Sequence, residues 1–254
     1  MCGRVPSRQC SIWCNAACYF TVAAVYCGAM HTYEIEIKSL LGSPESAEAL
    51  RVRMRELDPS CALRATNKQR NHYFTGGELS RLYESVAVLF DTYAQSRLQR
   101  IVEEGHDVSV RTRQKDNNVL LVVKASLDDT TSENGITRIE FEEPVPNLSL
   151  DELDQKVLDA GYTYQAKWSR EREEYRLRDV DVTIDRNAGY GYLAEFEIQI
   201  DDPEHATQAQ ETLRTLMKEL AVEELSQDRL QRMFEHYNAH WRDYYGTEKI
   251  FNID

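Results

Sequence analysis

Cysteine is scarce in most of this sequence. Of the six cysteines in the 254 residues, only Cys61 lies beyond residue 30, and the others are Cys2, Cys10, Cys14, Cys18 and Cys27. A disulfide framework is therefore excluded for nearly the whole chain. This distribution favours a reducing compartment, and we expect the protein to be cytoplasmic.

The sequence also lacks an excess of basic residues. It contains 30 Lys and Arg against 43 Asp and Glu, so the formal net charge is −13 at pH 7. A surface that binds nucleic acid in general needs many Lys and Arg to neutralise phosphates. We therefore expect no nucleic-acid partner, and any basic cluster must be local and sheltered.

Long apolar runs and linkers are missing as well. No apolar stretch reaches the roughly 20 residues that span a bilayer, and no Pro- or Ser-rich linker or low-complexity tract divides the chain. We predict no membrane partner and a single domain over residues 30–254, long enough to bury a sizeable core. A homodimer is compatible with the sequence.

Residues 1–29 differ in composition from the rest, and the change comes abruptly at Met30. Three interpretations stay open. The segment is an extension with Met30 as the natural start, or a signal peptide with Arg4 and Arg8 before an apolar run that ends at Ala29. The third is a metal-binding segment, although its cysteine spacing fits no common zinc site. We treat it as a poorly defined extension outside the fold.

Alternation of polar and apolar residues predicts about eight strands in a mostly antiparallel meander. They are expected at 32–40, 67–77, 108–114, 118–126, 136–145, 163–173, 175–185 and 190–200. Helices are predicted after Ser43 and Ser149, over 78–104, and from Pro203 and Asp228 onward. The fold class is α+β, an eight-stranded antiparallel barrel with helices packed outside.

Several predicted strands carry like charges on one face, because alternate side chains of a strand point to the same side. The first strand has Glu34, Glu36 and Lys38 in such a row. The other rows are Arg111 and Arg113 followed by Lys124, Arg138 with Glu140 and Glu142, Arg170 with Arg172, Asp185, and Glu195 with Glu197.

The rows largely segregate by sign, which a solvated face does not favour, because like charges about 7 Å apart repel. A closed barrel with its charged face inward would explain them. Arginine and lysine would then hold a polyanion, and glutamate would hold divalent cations that bridge to it. Metal-bound triphosphate meets both demands, while ordinary surface rows remain the alternative.

The same motifs, in the same order, resemble those of the CYTH family, the triphosphate tunnel metalloenzymes. The signature ExExK corresponds to Glu34, Glu36 and Lys38. Further matches are VRTR (110–113), VVK (122–124), RIEFE (138–142), WSREREEY (168–175), VTID (182–185) and EFE (195–197). The resemblance covers about residues 30–200. The family includes class IV adenylate cyclases, thiamine triphosphatases and inorganic triphosphatases.

The resemblance implies an eight-stranded tunnel that binds a small triphosphate together with Mg²⁺ or Mn²⁺. It implies substrate contacts for Lys38, Arg111, Arg113, Lys124, Arg138, Arg170 and Arg172. It implies metal binding for Glu34, Glu36, Glu140, Glu142, Asp185, Glu195 and Glu197. Catalytic roles fall to Glu36, Lys38 and Asp185, with Lys38 touching phosphate or assisting the leaving group.

The motifs serve more than one reaction. We expect metal-dependent hydrolysis of an inorganic or organic triphosphate such as thiamine triphosphate, because no motif indicates an adenine pocket. A class IV adenylate cyclase that forms cyclic AMP from ATP is the runner-up. A non-catalytic module that binds nucleotide or polyphosphate is the third hypothesis, although the carboxylates argue against it.

Two features depart from the family pattern. The helical stretch between Phe74 and Val108 is longer than in compact members, and the tail from His236 onward is rich in aromatic residues. Core packing is the favoured interpretation of both, with closure of a tunnel mouth or a subunit contact as alternatives. His236 and His240 are four residues apart, but we assign them a structural role.

Overall fold

Strands and helices make up most of what the computed structural model describes, namely residues 23–27, 30–126 and 138–253. Side chains are described for 34–126, 140–202 and 204–253. The strands in these ranges are β1 (Ala23–Cys27), β2 (Met30–Gly42), β3 (Ala62–Gly76), β4 (His106–Lys115), β5 (Asn118–Ser126), β6 (Arg138–Pro144), β7 (Tyr162–Leu177), β8 (Val180–Asn187) and β9 (Gly191–Ile200). The helices are α1 (Pro44–Leu57), α2 (Leu79–Val86), α3 (Thr92–Glu104), α4 (Leu150–Asp159), α5 (Ala206–Glu219) and α6 (Gln227–Tyr244).

Eight strands form one antiparallel sheet in the order β2-β9-β8-β7-β3-β4-β5-β6. The short strand β1 pairs antiparallel with β2, and it pairs in parallel with β6 through only Ala23 and Ala24. Within the described ranges, no ladder joins β2 directly to β6. The α+β class and the eight antiparallel strands are confirmed, whereas closure of these eight into a hydrogen-bonded barrel is not.

The predicted extension, residues 1–29, contains strand β1. The interpretations offered for residues 1–22 lie outside the described residues, and the start of the domain at residue 30 stays a prediction. Among the helices that the structure describes, none combines the length and apolar character needed to cross a bilayer.

The apolar face of the sheet points outward and is covered by helices. Helices α1 and α5 pack on β2, β8 and β9, where Ile37 and Leu213 are buried. Helices α2, α3 and α4 pack on the opposite half of the sheet, where Phe141 and Leu153 are buried. Each such side chain contributes roughly 1.5–3 kcal/mol when it leaves water. The charged residues at alternate positions therefore point to the other face, as the sequence predicts.

Polar caps set the helix ends locally. The Ser43 side chain caps α1, and Ser149 forms a capping box with Glu152 at the start of α4. The helical region predicted over 78–104 consists of two helices, because the Asp91 side chain caps α3 by accepting a hydrogen bond from the backbone N–H of Ala94. These contacts satisfy backbone N–H groups that have no partner inside the helix.

The boundary between β7 and β8 differs from the sequence prediction. Alternation predicts that one strand ends at Glu173 and that the next begins at Tyr175. In the structure β7 continues to Leu177, and the turn falls at Arg178 and Asp179. Arg178 adopts a positive φ of 52°, which the sequence does not signal because arginine is not a typical turn residue. The predicted end of β7 is therefore wrong by four residues, and the predicted start of β8 is wrong by five.

We predict that Leu213→Ala lowers the free energy of unfolding by about 2–5 kcal/mol, because it leaves a cavity between α5 and the sheet. Leu213 is fully buried, whereas Val88 is 80% exposed. Chemical denaturation of both alanine variants measures the difference. Val88→Ala should stay within about 0.5 kcal/mol of the parent; an equally small change for Leu213→Ala would contradict the described packing.

Candidate functional site

The predicted charged residues with described side chains lie on the sheet face that the helices leave uncovered. In β2, Glu34, Glu36 and Lys38 alternate with Ile35 and Ile37, which are almost fully buried under the helices. The neighbouring strand β9 has the same alternation. The register places Glu36 opposite Glu197 and Lys38 opposite Glu195. Arg138 lies on β6, but its side chain is outside the described residues.

One network of ion pairs joins β2, β7, β8 and β9. Arg172 donates to both oxygens of Asp185 at 2.7 and 2.6 Å, and its Nη2 also donates to Glu195 at 2.5 Å. Arg170 Nη1 donates to Asp185 at 2.8 Å. Lys38 Nζ lies 3.1 Å from Glu195 Oε1. Burial would raise the pKa of Glu195, but Lys38 and Arg172 hold it well below its usual value.

Asp185 is fully buried, and both of its carboxylate oxygens accept from arginine. It therefore orients Arg170 and Arg172 directly, a contact that the predicted role in metal binding or water activation does not include. Lys38 also pairs with Glu36.

A second network joins β4, β5 and β6. Lys124 Nζ lies 2.8 Å from Glu140 Oε2, and Arg111 Nη2 lies 3.5 Å from Glu140 Oε1. Arg113 Nη1 donates to both oxygens of Glu142 at 2.7 and 2.8 Å. Burial opposes the ionised form of Glu140, but Lys124 and Arg111 keep its pKa below the usual value.

Glu34 and Glu197 differ from the other carboxylates of this face. Neither forms a salt bridge with the rest of the described chain, and burial is the main cause that raises the pKa of both. Glu197 adds repulsion that brings the pKa of Glu34 to about 7, with Lys124 opposing and Glu140 reinforcing the shift. The pKa of Glu34 on β2 thus depends on charges of β5 and β6, which stand at the far end of the strand order.

The carboxylates predicted to bind metal are spread over these networks. In the part of the chain that is described, no group of three or more His, Cys, Asp or Glu is arranged to hold a metal ion. Most of these carboxylates are paired with Lys or Arg, namely Glu36, Glu140, Glu142, Asp185 and Glu195. Glu34 and Glu197 retain the least compensated negative charge.

Sequence reasoning missed a row of uncharged polar side chains on β3. Three of its members accept a hydrogen bond from an arginine of the charged face, with N–O distances of 2.8–2.9 Å. The row consists of Asn67, Gln69, Asn71 and Tyr73. Its signal in the sequence is an amide at every second position of NKQRN, which is easily taken for an exposed polar strand.

The charged face becomes apolar at one end. Leu40, Trp168 and Leu193 continue the rows of Lys38, Arg170 and Glu195, respectively, at the next position on the same face. They form an apolar cap with residues of α6 and the C-terminal tail. We define the apolar cap as Leu40, Trp168, Tyr190, Leu193, Met233, Phe234, Tyr237 and Phe251.

The Trp168 ring is held tightly within this apolar cap. It stacks on Tyr237, with ring centroids 3.8 Å apart and 20° between the planes, and the rings of Tyr190 and Phe234 approach at 5.7 and 5.4 Å. The aromatic tail therefore packs against the end of the charged face that adjoins Arg170. The tail is therefore part of the core packing, and closure of a tunnel mouth stays a prediction.

His236 and His240 also belong to this aromatic region. Their rings stack 4.5 Å apart, and His240 Nδ1 lies 2.9 Å from the backbone oxygen of His236. The His236 ring also lies 4.6 Å from that of Phe251. These contacts agree with the structural role that we expect for both histidines.

Comparison with protein families connects this geometry to known proteins. The model of the CYTH domain matches residues 32–230 of the chain. The chain belongs to the CYTH family. Family members bind triphosphate substrates and are generally metal-dependent. The resemblance seen in the motifs is thus confirmed.

Several solved structures are similar to this chain. The PH1819 protein from Pyrococcus horikoshii OT3 has a TM-score of 0.54 and 20% identity, with 80% of this chain and 99% of that chain covered. A conserved hypothetical protein from Pyrococcus furiosus has a TM-score of 0.51 and 20% identity, with 77% and 98% covered. At these identities the likeness shows the fold alone. No match was found among curated proteins.

We predict that Glu34→Gln changes how the stability of the metal-free protein depends on pH. The pKa of Glu34 is raised to about 7 in the fold, so its contribution to stability is present below about pH 4.5 and is lost as pH rises through about 7. Glu34→Gln should therefore be more stable than the parent at pH 8, on the order of 1 kcal/mol after screening by solvent.

Chemical denaturation in EDTA between pH 4 and 9 measures this difference. The two proteins should converge at the acidic end, where Glu34 is protonated in both the folded and unfolded states. Glu211→Gln, at an exposed position of α5, is the control and should show no such divergence. Parallel curves for Glu34→Gln and the parent would contradict the raised pKa of Glu34.

Proposed function

We propose that the protein hydrolyses a triphosphate, inorganic or organic, with Mg²⁺ or Mn²⁺ as the divalent cation. Its main support is the cluster of basic side chains on the face opposite the helices. Burial and the adjacent Arg111 lower the pKa of Arg113 to about 10. A bound polyanion would relieve the repulsion between these guanidinium groups, and arginine suits phosphate because its N–H fork matches the oxygens.

We also propose that the eight antiparallel strands enclose this face as a tunnel. The shift of Glu34 by Lys124 and Glu140 supports this, because β2 and β6 stand at opposite ends of the strand order and their side chains nevertheless interact. The apolar cap would close the mouth next to Arg170. A triphosphate would then enter through the other mouth.

Glu34 and Glu197 fit a divalent cation best among the predicted ligands. Both carboxylates are half-buried with raised pKa values, and Glu197 contributes to the shift of Glu34. A hard cation, which prefers oxygen ligands, would stabilise their ionised forms. Glu36 lies in the same row as Glu34 and would complete the set. When bound, the cation would bring positive charge to the phosphate oxygens. Family membership supports metal dependence in general.

The remaining charged residues would position the substrate. Arg111, Arg113 and Lys124 would bind phosphates on one side, and Arg170 and Arg172 would do so on the other. Glu140, Glu142, Asp185 and Glu195 would orient these bases through the ion pairs described above. A similar contact for Arg138 stays a prediction.

In the proposed reaction, water attacks the terminal phosphorus and the bond from phosphorus to the bridging oxygen breaks. Catalysis of such a transfer consists mainly of positioning and charge neutralisation. Arg170 and Arg172 would stabilise charge on the equatorial oxygens. Lys38 would bind the leaving oxygen, and Glu36 would accept the proton from the attacking water.

Hydrolysis is favoured over cyclisation by the packing of the apolar cap. A cyclase needs a site that holds adenine and folds the ribose back onto the phosphate. Trp168 is already stacked on Tyr237 and flanked by Tyr190, so the ring beside Arg170 is engaged by protein side chains and is not offered to a base. An organic group, where the substrate has one, would lie towards the opposite mouth.

We predict that Glu36→Gln abolishes metal-dependent turnover, a loss of about 10²-fold or more, because it removes both a cation ligand and a proton acceptor. Orthophosphate release from tripolyphosphate and from thiamine triphosphate, each with Mg²⁺ or Mn²⁺, is the measurement. Circular dichroism should show an unchanged fold. Glu171→Gln is the matched control, because Glu171 lies on β7 between Arg170 and Arg172 and pairs outside with Lys68.

Incubation with ATP and analysis of the products separate the alternatives. Cyclic AMP would identify a cyclase, and tight binding of triphosphate without turnover would identify a non-catalytic module. Full activity of Glu36→Gln would remove Glu36 from the site. Activity that persists in EDTA would show that the reaction needs no divalent cation.

A further inference from the structure

Alternate side chains of β3 each meet a different arginine of the charged face. Gln69 Oε1 accepts from Arg170 Nε at 2.9 Å. Asn71 Oδ1 accepts from Arg113 Nε at 2.8 Å. Tyr73 is the next member, and its hydroxyl oxygen accepts from Arg111 Nη1 at 2.9 Å. Strand β3 thus lies between arginines of β7 and β4 and contacts both sets.

We propose that Gln69 and Asn71 are positioning residues that fix the orientation of Arg170 and Arg113 without neutralising their charge. This inference rests on the proposed function, because it gives the row a role in binding the triphosphate. A neutral amide oxygen orients a guanidinium group through a hydrogen bond and leaves its net charge available to a phosphate.

The two arginines have the same pattern of partners. Arg113 donates from Nε to the amide oxygen of Asn71 and from Nη1 to the carboxylate of Glu142. Arg170 donates from Nε to the amide oxygen of Gln69 and from Nη1 to the carboxylate of Asp185. For both, Nη2 has no hydrogen-bond partner among the described residues, so it can donate to a ligand. The guanidinium carries five N–H donors in a rigid, planar group. Hydrogen bonds at Nε and Nη1 therefore also fix the direction in which Nη2 donates.

The amides are themselves held in one orientation. Gln69 Nε2 donates to Asn67 Oδ1 at 2.7 Å, and Asn67 Nδ2 donates to Glu174 Oε1 at 2.8 Å. These two hydrogen bonds fix the amide group of Gln69 so that its oxygen points at Arg170. Asn67, Gln69 and Asn71 are 5%, 4% and 3% exposed, so their polar groups have little access to water as an alternative partner.

A carboxylate in place of either amide would keep the hydrogen bond but give the arginine a second negative partner. This contrast separates positioning by a neutral group from a merely structural hydrogen bond. We expect Asn71→Asp to raise the KM for tripolyphosphate by about 10-fold or more, because Arg113 then has two carboxylate partners that compete with the phosphate. Asn71→Leu removes the acceptor, and we expect it to raise KM by roughly 3- to 10-fold.

Steady-state kinetics with tripolyphosphate and Mg²⁺ gives KM and kcat, and calorimetric titration with tripolyphosphate gives affinity without turnover. Gln69→Glu and Gln69→Leu form an independent pair that should follow the same order. Asn117→Asp adds the same charge at an exposed turn between β4 and β5 and should leave KM unchanged.

The inference is overturned if Asn71→Asp and Gln69→Glu fold normally and keep KM and affinity within about twofold of the parent. It is overturned as well if neither aspartate nor glutamate variant folds, since the row is then structural. If only one of these two variants folds, the KM and affinity of that variant test the inference. A parent protein that neither binds nor hydrolyses any triphosphate would instead refute the proposed function, and this inference with it.

Discussion

The helices cover the outer, apolar face of the sheet, and this forces the charged side chains of the same strands onto the opposite face. Ile37 and Phe196 face α1 and α5, so Glu36, Lys38 and Glu195 must point the other way. Removing charges from water costs several kcal/mol per ion unless they are paired. The many short contacts between carboxylates and bases on this face follow from that cost.

Compensation of charge on the charged face is uneven. Glu195 and Asp185 are saturated by Lys38 and the arginines. Among the described residues Glu34 and Glu197 have no such partner, and the pKa of Arg113 is lowered by burial and by its basic neighbour. A ligand that brings both a cation and phosphates would stabilise the ionised carboxylates and the guanidinium groups at once.

The family and the fold carry different amounts of information about activity. Membership of the CYTH family rests on a match over residues 32–230, and it supports triphosphate binding. The similar Pyrococcus structures, at 20% identity, support the fold alone. The choice of hydrolysis therefore depends on this chain's own features, above all on the apolar cap beside Arg170 and on the ring of Trp168 that Tyr237 already covers.

The sequence by itself indicated eight antiparallel strands and which residues share a face, because strand alternation and helix caps such as Ser43 and Ser149 are local properties. It also indicated the charged rows and the family. It did not indicate strand β1 or the pairing of β2 with β9 and of β3 with β7, which departs from the predicted meander. Only the tertiary structure decided which charges pair across strands, that Asp185 faces two arginines, and that Asn71 and Gln69 hold Arg113 and Arg170. These contacts join strands far apart in the chain, and their register depends on how the whole sheet curves and packs, which no local pattern encodes.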